Sequence, residues 1–478
     1  MSPANPLHAA RIVALSILLA AGAAGAAPAC TDVPPQGAPD RHLLPTAPGS
    51  GRYTVSREAG FTDDTLWGPG GRVKISARRE WGGAIVFFGL AAGAPATNVI
   101  DAGDTGREVQ MALYDPDRVR QGCAHDASCR TGSAARCPDS ISFLGWNPVQ
   151  GGNKCNVGSR VTAVQAADGA LEVEVAPLHW NPDWREATCA SSACARADAR
   201  ALEADVRFRE RLRFVGDLVV ELELEAVNLA DEARAATAQE FPTLYVANGA
   251  GGAPNLHVLL DSEGRRVPID RPANDGFFAR RFDSPRGWVA YQNAALDYGV
   301  GLLAENRLRQ WQGWQKPGVF NNVRAVFRFG LAPRGVVRAR SYLMLGSAAT
   351  IAKLAERLER SLPPFGALER PAPDEVVSGP EIPVAGWALD NVGVSRVELL
   401  LDGKRFAVLA PDRARSDVCR EWPGYAGCER PGFAGTIPAA GLTPCAHLVE
   451  AVAVDTDGNR RAIGSARFRL ETRRAPGQ

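Results

Sequence analysis

From Tyr53 onward, apolar and polar side chains alternate in short runs broken by glycines, the mark of strands half buried in a sheet. Val73-Lys74-Ile75-Ser76 and the run from Ala84 to Phe88 are two of them. Val161 to Ala166 and Leu171 to Val175 flank Asp168-Gly169, a pair that tolerates positive φ, and predict a hairpin. A longer ribbon follows. Val206, Phe208, Leu212 and Phe214 form an apolar set interrupted at Glu210, with Arg207, Arg209, Arg211 and Arg213 between them. After Gly216-Asp217 the chain returns with Leu218, Val220, Leu222 and Leu224 set against Glu221, Glu223 and Glu225. An arginine strand beside a glutamate strand predicts cross-strand ion pairs. The expected place for these charges is a solvated sheet face, where exposed pairs contribute little. Val323 to Phe329 and Val336 to Leu345, around Pro333-Arg334-Gly335, predict a second long hairpin.

The period then changes. Ile351, Leu354 and Leu358 share one side of a helix, with Lys353, Glu356 and Arg357 on another. Ser347 or Thr350 caps it, and Pro363-Pro364 ends it and marks a boundary. Beyond lie Ile382 to Asp390, a hairpin around Asp402-Gly403 and another around Asp455 to Asn459. About a hundred residues of short strands with regular turns indicate a β-sandwich. The predicted fold is all-β: a large antiparallel domain over 52–362, then a smaller sandwich over 365–471. Asp455, Asp457 and Asn459 imitate a calcium loop but lack its glycine and its later glutamate spacing, so a hairpin turn is expected.

At 478 residues the chain is too long for one ordinary domain. Its 54 Lys+Arg against 53 Asp+Glu leave no basic field to hold nucleic acid. Arg11 precedes the apolar run Ile12 to Ala21, and Ala24-Gly25-Ala26 offers an Ala-x-Ala exit. These features predict a signal peptide over 1–26, a flexible lead-in over 27–51 and a secreted or periplasmic product. The run is too short for a membrane span. Ten cysteines suit an oxidising compartment. Local spacing pairs Cys123 with Cys129, Cys137 with Cys155, Cys189 with Cys194 and Cys419 with Cys428, leaving Cys30 and Cys445 to join each other or stay free. With no Cys-x-x-Cys and six scattered histidines, no metal is expected. No cofactor is expected either, since no phosphate loop or dinucleotide fingerprint is present.

The chemistry concentrates in Asp104 to Gln110, Tyr114 and Trp146 to Asn153. Glu108, Gln110 and Tyr114 share a strand face by their spacing, beside Arg107. Trp146, Asn147, Gln150 and Asn153 lie on a loop stiffened by Pro148, and Trp311 and Trp314 stand among glutamines in a second cluster. Aromatic faces stack on sugar rings and amides bridge vicinal hydroxyls, so these residues suit a carbohydrate ligand. The plainer alternative is a buried loop whose amides serve its own backbone. His179, Glu240 and Tyr245 are the candidates for proton transfer, with Glu240 in a turn fixed by Pro242. A lyase would use His179 and a tyrosine beside a uronate held by Arg107. A glycosidase would need a second carboxylate, from Asp104, Glu108 or Asp115.

Two resemblances add to this. Gly386-Trp387-Ala388-Leu389-Asp390, Val397-Glu398-Leu399 with Asp402-Gly403, and Ala453-Val454-Asp455-Thr456-Asp457-Gly458-Asn459 resemble a bacterial immunoglobulin-like module, which implies a spacer or adhesive accessory. The strand pattern of 52–362, with Gln239-Glu240-Phe241-Pro242 before Tyr245 and Tyr298-Gly299-Val300-Gly301-Leu302, is similar to the galactose-mutarotase-like supersandwich. That likeness implies a sugar epimerase, a polysaccharide lyase or a glycosidase domain. Leu178-His179-Trp180-Asn181 departs from the setting of the mutarotase histidine, which argues against simple mutarotase activity. The expected protein is an exported carbohydrate-binding or carbohydrate-processing one. A polysaccharide lyase or glycoside hydrolase and a non-catalytic surface adhesin are the alternatives.

Overall fold

The computed structural model describes residues 52–94, 96–103, 106–116, 145–149, 158–180, 203–269 and 278–470. These residues build two large sheets face to face and a smaller two-sheet sandwich. The first large sheet has twelve strands, and from its centre to one edge it runs Val109–Tyr114, Arg234–Val246, Phe320–Ala325, Gln310–Lys316, Phe278–Asp283 in neighbouring order. The second has nine strands, centred on Gly299–Ala304, Val336–Gly346, Val219–Asn228, Val206–Gly216 and Ala170–Ala176. Alternation decides what lies between them. Val109, Met111, Leu113, Leu244, Val246 and Val323 from the first sheet meet Leu212, Leu222, Leu224, Val300 and Leu343 from the second in one continuous core. The residues alternating with them point outward, and the outward face of the twelve-stranded sheet carries the polar site.

The hairpin expected at Asp168-Gly169 is present, with both residues at positive φ. The arginine–glutamate ribbon pairs Arg209 with Glu225, Arg211 with Glu223 and Arg213 with Glu221. The helix spans Ala348–Ser361, and the Ser347 side chain accepts from the Thr350 N–H. Ile351, Ala355 and Leu358 pack onto Trp288, Leu303, Tyr342 and Met344 on the outward face of the nine-stranded sheet.

Three expectations are corrected. The segments before and after Pro333-Arg334-Gly335 are not a hairpin. Phe327–Leu331 pairs with Arg234–Val246 in the first sheet, and Val336–Gly346 pairs with Val219–Asn228 in the second, so the turn crosses between layers. Gln239 to Pro242 is not a turn but lies inside the strand Arg234–Val246. That strand changes partner at Pro242, which has no N–H to give: Phe327–Leu331 lies alongside before it and Phe320–Ala325 after it. The register on the opposite edge also shifts between Glu240 and Thr243, as at a bulge. The charged ribbon is only partly a solvated face: Arg213, Glu221, Glu225 and Arg340 are buried, while Arg209 is 42% exposed. The C-terminal sandwich meets the same sheet through Glu421 on Arg338 and through Phe365 and Trp422 on Arg340.

That sandwich packs a three-stranded sheet (Phe365–Arg370, Glu381–Leu389, Gly432–Pro438) on a five-stranded one that includes Val394–Leu401, Ala446–Asp455 and Arg460–Leu470. Its core holds Ile382, Val384, Val397, Leu399, Phe433, Val449 and Phe468. Gly386 of the Gly-Trp-Ala-Leu-Asp motif is required by close approach. A Cβ there would stand 2.2 Å from the Ala367 carbonyl oxygen and 2.6 Å from the Phe433 ring. Asp455 accepts from the Asn459 N–H at 2.8 Å, closing the turn that imitates a calcium loop.

Candidate functional site

The outward face of the twelve-stranded sheet gathers side chains from four neighbouring strands. Tyr114 ends the strand Val109–Tyr114, and Gln239 holds that end in place. The Gln239 Oε1 accepts from the Tyr114 N–H at 2.6 Å, and its Nε2 donates to the Tyr114 carbonyl at 3.2 Å. Glu240 sits where the register of the next strand shifts, a local irregularity of the kind that re-aims a side chain. The Tyr114 hydroxyl donates to Glu240 Oε1 at 2.9 Å, and Arg324 Nη1 donates to the same oxygen at 3.2 Å. Arg324 Nη2 donates to Gln312 Oε1 at 3.1 Å. The Arg324 guanidinium carbon lies 4.6 Å from the centre of the Trp314 ring and 5.4 Å from that of Tyr114. Thr243 and Asn322 sit below, joined by a 2.6 Å hydrogen bond from Asn322 Nδ2 to Thr243 Oγ1.

Tyr245 extends the patch. Its ring and that of Phe320 meet edge to face with centres 5.9 Å apart, and the Arg107 guanidinium carbon lies 5.4 Å from the Phe320 ring centre. Arg107 Nη1 also donates to the Val319 carbonyl at 2.8 Å.

Burial sets the protonation preferences. It holds the Glu240 carboxyl above the ordinary carboxylate value, and the charge of Arg324 with the hydroxyls of Tyr114 and Thr243 pulls it partly back. Tyr114 is pushed well above its usual value, first by burial and then by the neighbouring Glu240 charge. Tyr245 is raised for the same two reasons in the same order. Both phenols therefore keep their protons and act as donors. Glu240, its carboxyl raised by burial, is the candidate on this face to give or take a proton.

Of the residues proposed from sequence, this face brings Tyr114, Glu240, Tyr245 and Trp314 together, with Arg107 beside Phe320. Gln110 and Glu108 are buried and turned to local backbone: Gln110 Nε2 donates to the Gly106 carbonyl at 3.3 Å and Glu108 Oε2 accepts from the Gly106 N–H at 3.1 Å. Trp146 pairs across from Leu113 and is 1% exposed in the inter-sheet core. Trp311 is 0% exposed in the same core, its Nε1 donating to the Leu308 carbonyl at 2.9 Å. Trp311 and Trp314 are three residues apart on one strand, so alternation sends them to opposite faces. The Asn147 Oδ1 accepts from the Val149 N–H at 2.7 Å, serving its own loop. Gln150, Asn153 and the His179 side chain lie outside the described residues. His179 itself belongs to the short strand Leu178–Trp180, opposite Trp146.

Sequence reasoning missed Arg324, Gln239 and Thr243 and left Gln312 as a neighbour of tryptophans. The available signal was Arg324 itself, a cation in a run of otherwise apolar and amide side chains. Of the described cysteines, Cys419 and Cys428 form the expected disulfide, and Cys445 is also disulfide-bonded. The other three local pairs fall outside the described residues.

No protein-family model matches the chain, and no curated protein matches it. Several solved structures are similar to it. A polysaccharide lyase matches over 84% of this chain and 47% of its own, at 9% identity and a TM-score of 0.31, so this chain spans about half of that protein. A protein from Klebsiella pneumoniae described as an aldose 1-epimerase matches over 65% of this chain and 87% of its own, at 10% identity and a TM-score of 0.34. Fibronectin(III)-like modules of Clostridium thermocellum CbhA match over 42% of this chain and 100% of theirs, at 10% identity and a TM-score of 0.18.

Proposed function

We propose that this is an exported protein that binds and processes a glycan on the outward face of its twelve-stranded sheet. Glu240 is its proton-transfer group, and Tyr114, Arg324, Gln312, Trp314 and Tyr245 are its binding surface. One observation carries the reading: a buried carboxylate held by a phenol at 2.9 Å and a guanidinium at 3.2 Å, beside a half-buried tryptophan on a sheet face. A surface that only binds sugar has no need of a carboxyl raised by burial and poised between two donors. The ring of Trp314 supplies a stacking face, and Gln312 with Arg324 supplies donors for hydroxyls or a uronate carboxylate. Elimination from a uronate is the reaction this face suits: Glu240 takes the proton beside the carboxylate, the C=C bond forms as the glycosidic C–O bond breaks, and the departing oxygen takes up that proton. In hydrolysis Glu240 would protonate the leaving oxygen as the C–O bond breaks and a water adds to the anomeric carbon, its proton passing to a second carboxylate that the described part of this face does not present. The Cys419–Cys428 disulfide supports an oxidising compartment.

The test starts from a glycan array probed with the chain lacking residues 1–26. Retained glycans then go into a reducing-sugar assay and an ultraviolet assay for unsaturated products, whose outcome tells hydrolysis from elimination. Glu240→Gln is expected to lower turnover by at least about a hundredfold, the usual scale for removing a general acid or base, while glycan retention stays within a few-fold. A glycan turned over equally well by the parent and Glu240→Gln would end the assignment, and so would the absence of any retained glycan.

A further inference from the structure

Between the arginine–glutamate ribbon and the C-terminal sandwich lies a cleft of about 510 Å³, within the usual size range of small-molecule sites. Glu223 lines it from the ribbon, and Phe365, Trp387 and Trp422 line it from the sandwich. The described lining holds five arginines and four glutamates, so the two signs nearly cancel.

Three of those glutamates are engaged. Glu225 accepts from Arg209 at 3.0 Å and from Arg338 at 2.7 Å. Arg338 also pairs with Glu421, and Arg209 pairs with Glu172 at 3.2 Å. Glu223 is the exception. The strand register sets it between Arg211 and Arg340, yet it makes no hydrogen bond or ion pair among the described residues. Its side chain is half-buried, and neither carboxylate oxygen is sealed from solvent. On the sandwich side Trp387 is half-buried too, its ring at a right angle to that of Phe365 with centres 5.9 Å apart. Its indole N–H has no acceptor among the described residues and is not sealed from solvent either.

The cleft thus combines an open acceptor, an open donor and an aromatic surface within a lining of little net charge. An anionic ligand would meet the Glu223 carboxylate, and a cationic one would meet the arginines around it. A neutral polyol suits all three features. Adjacent hydroxyls donate to the two oxygens of a carboxylate, another hydroxyl accepts from the indole, and a ring of C–H groups lies on the aromatic face.

We propose that this cleft is a second ligand site, separate from the Glu240 face and independent of its chemistry, and that it takes a neutral sugar, with two adjacent hydroxyls on Glu223 and a ring face on Trp387. Glu223→Gln is the informative variant, because the side chain has no described protein partner to lose and the melting temperature should hold. Trp387→Ala is the second variant, with Trp387→Phe in its place if the alanine lowers the melting temperature.

The experiment titrates the chain lacking residues 1–26 with glucose, galactose and mannose, and with glucuronate and glucosamine as charged counterparts, read by tryptophan fluorescence and calorimetry. At least one neutral sugar is expected to saturate, and to bind more tightly than either charged one. Glu223→Gln is expected to weaken that sugar at least about tenfold, since hydrogen bonds to a charged acceptor are lost. Trp387→Ala should weaken it as well, and Trp387→Phe should weaken it less. Three results would overturn the assignment: no saturable binding of a neutral sugar up to about 50 mM, glucuronate or glucosamine binding as tightly as the best neutral sugar, or Glu223→Gln with the parent's affinity. Binding that is lost in Trp314→Ala and kept in Glu223→Gln would put the sugar on the Glu240 face, overturning this site and leaving the other standing.

Discussion

Glu210 interrupts the apolar rhythm of its strand, and the interruption is real: the residue faces the inter-sheet side at 7% exposure, against Val173 and Val175. Burial alone lifts its carboxyl from 4.5 to about 8. A folded-state value above the unfolded one means that the folded chain holds the proton more tightly. Stability is therefore full below about pH 4.5 and is lost as pH rises toward about 8. Glu210→Gln removes that dependence. Urea denaturation should find the variant roughly 1–3 kcal/mol more stable than the parent at pH 8 and no more stable at pH 4. An equal gain at both pH values would point to packing rather than charge. At this scale the sequence announced the kind of each side chain and the structure assigned its direction. Trp146 and Trp314 are both tryptophans beside amides. One fills the core and the other flanks Arg324, because strand parity and neighbouring strands differ. Arg324 drew no notice because nothing near it in sequence is its partner. Glu240 is 84 residues away along the chain.

The strand pair Val206–Gly216 and Val219–Asn228 was legible as a hairpin with its alternation, because a period of two and a short turn leave few alternatives, but its register was not: it shifts between Phe214 and Gly216 beside the turn. Its environment was not legible. Arg213 and Glu221, paired at 3.2 Å, are 3% and 2% exposed, whereas Arg334 and Asp231 on a connecting turn are 62% and 83% exposed. Removing one member of a buried pair strands the other charge. Arg213→Ala is expected to cost about 3–5 kcal/mol in chemical denaturation, and Asp231→Asn is expected to leave the melting temperature unchanged within error. Similar losses for both would show that the ribbon is wetter than its burial indicates. The segments around Pro333-Arg334-Gly335 carry the same lesson. Two β-rich runs and a turn describe a hairpin and a layer crossing equally well, and only the partners at Glu225 and Gln239 distinguish them.

Across the whole molecule, the short helix Ser416–Glu421 and the residues after it join the two halves. The Cys419–Cys428 bridge pins that segment, and Trp422 and Tyr425 pack on Phe365. The Tyr425 hydroxyl donates to Glu305 at 3.0 Å, Tyr342 donates to the other Glu305 oxygen at 2.7 Å, and Asn306 donates to the Pro423 carbonyl at 3.1 Å. Replacing both cysteines with serine releases a loop of nine residues' separation, worth about 2–3 kcal/mol by loop-closure entropy. The melting temperature should fall, and trypsin should cut after Arg420 faster than in the parent. A variant as stable and as protease-resistant as the parent would mean that packing alone holds the wedge.

By itself the sequence determined the all-β class, the hairpins around Asp168-Gly169, Gly216-Asp217, Asp402-Gly403 and Asp455 to Asn459, the capped helix and the Cys419–Cys428 bridge. Each depends on neighbours within about twenty residues, whose spacing is visible as periodicity, turn residues or paired thiols. The tertiary structure alone decided which face each strand shows, that Arg213, Glu221 and Glu225 of the charged ribbon are buried while Arg209 stays wet, and that Tyr114, Glu240 and Arg324 meet at one carboxylate oxygen. Those outcomes depend on which strands lie side by side and which layer covers them, and contacts between residues such as Glu240 and Arg324, 84 positions apart, leave no trace in local pattern.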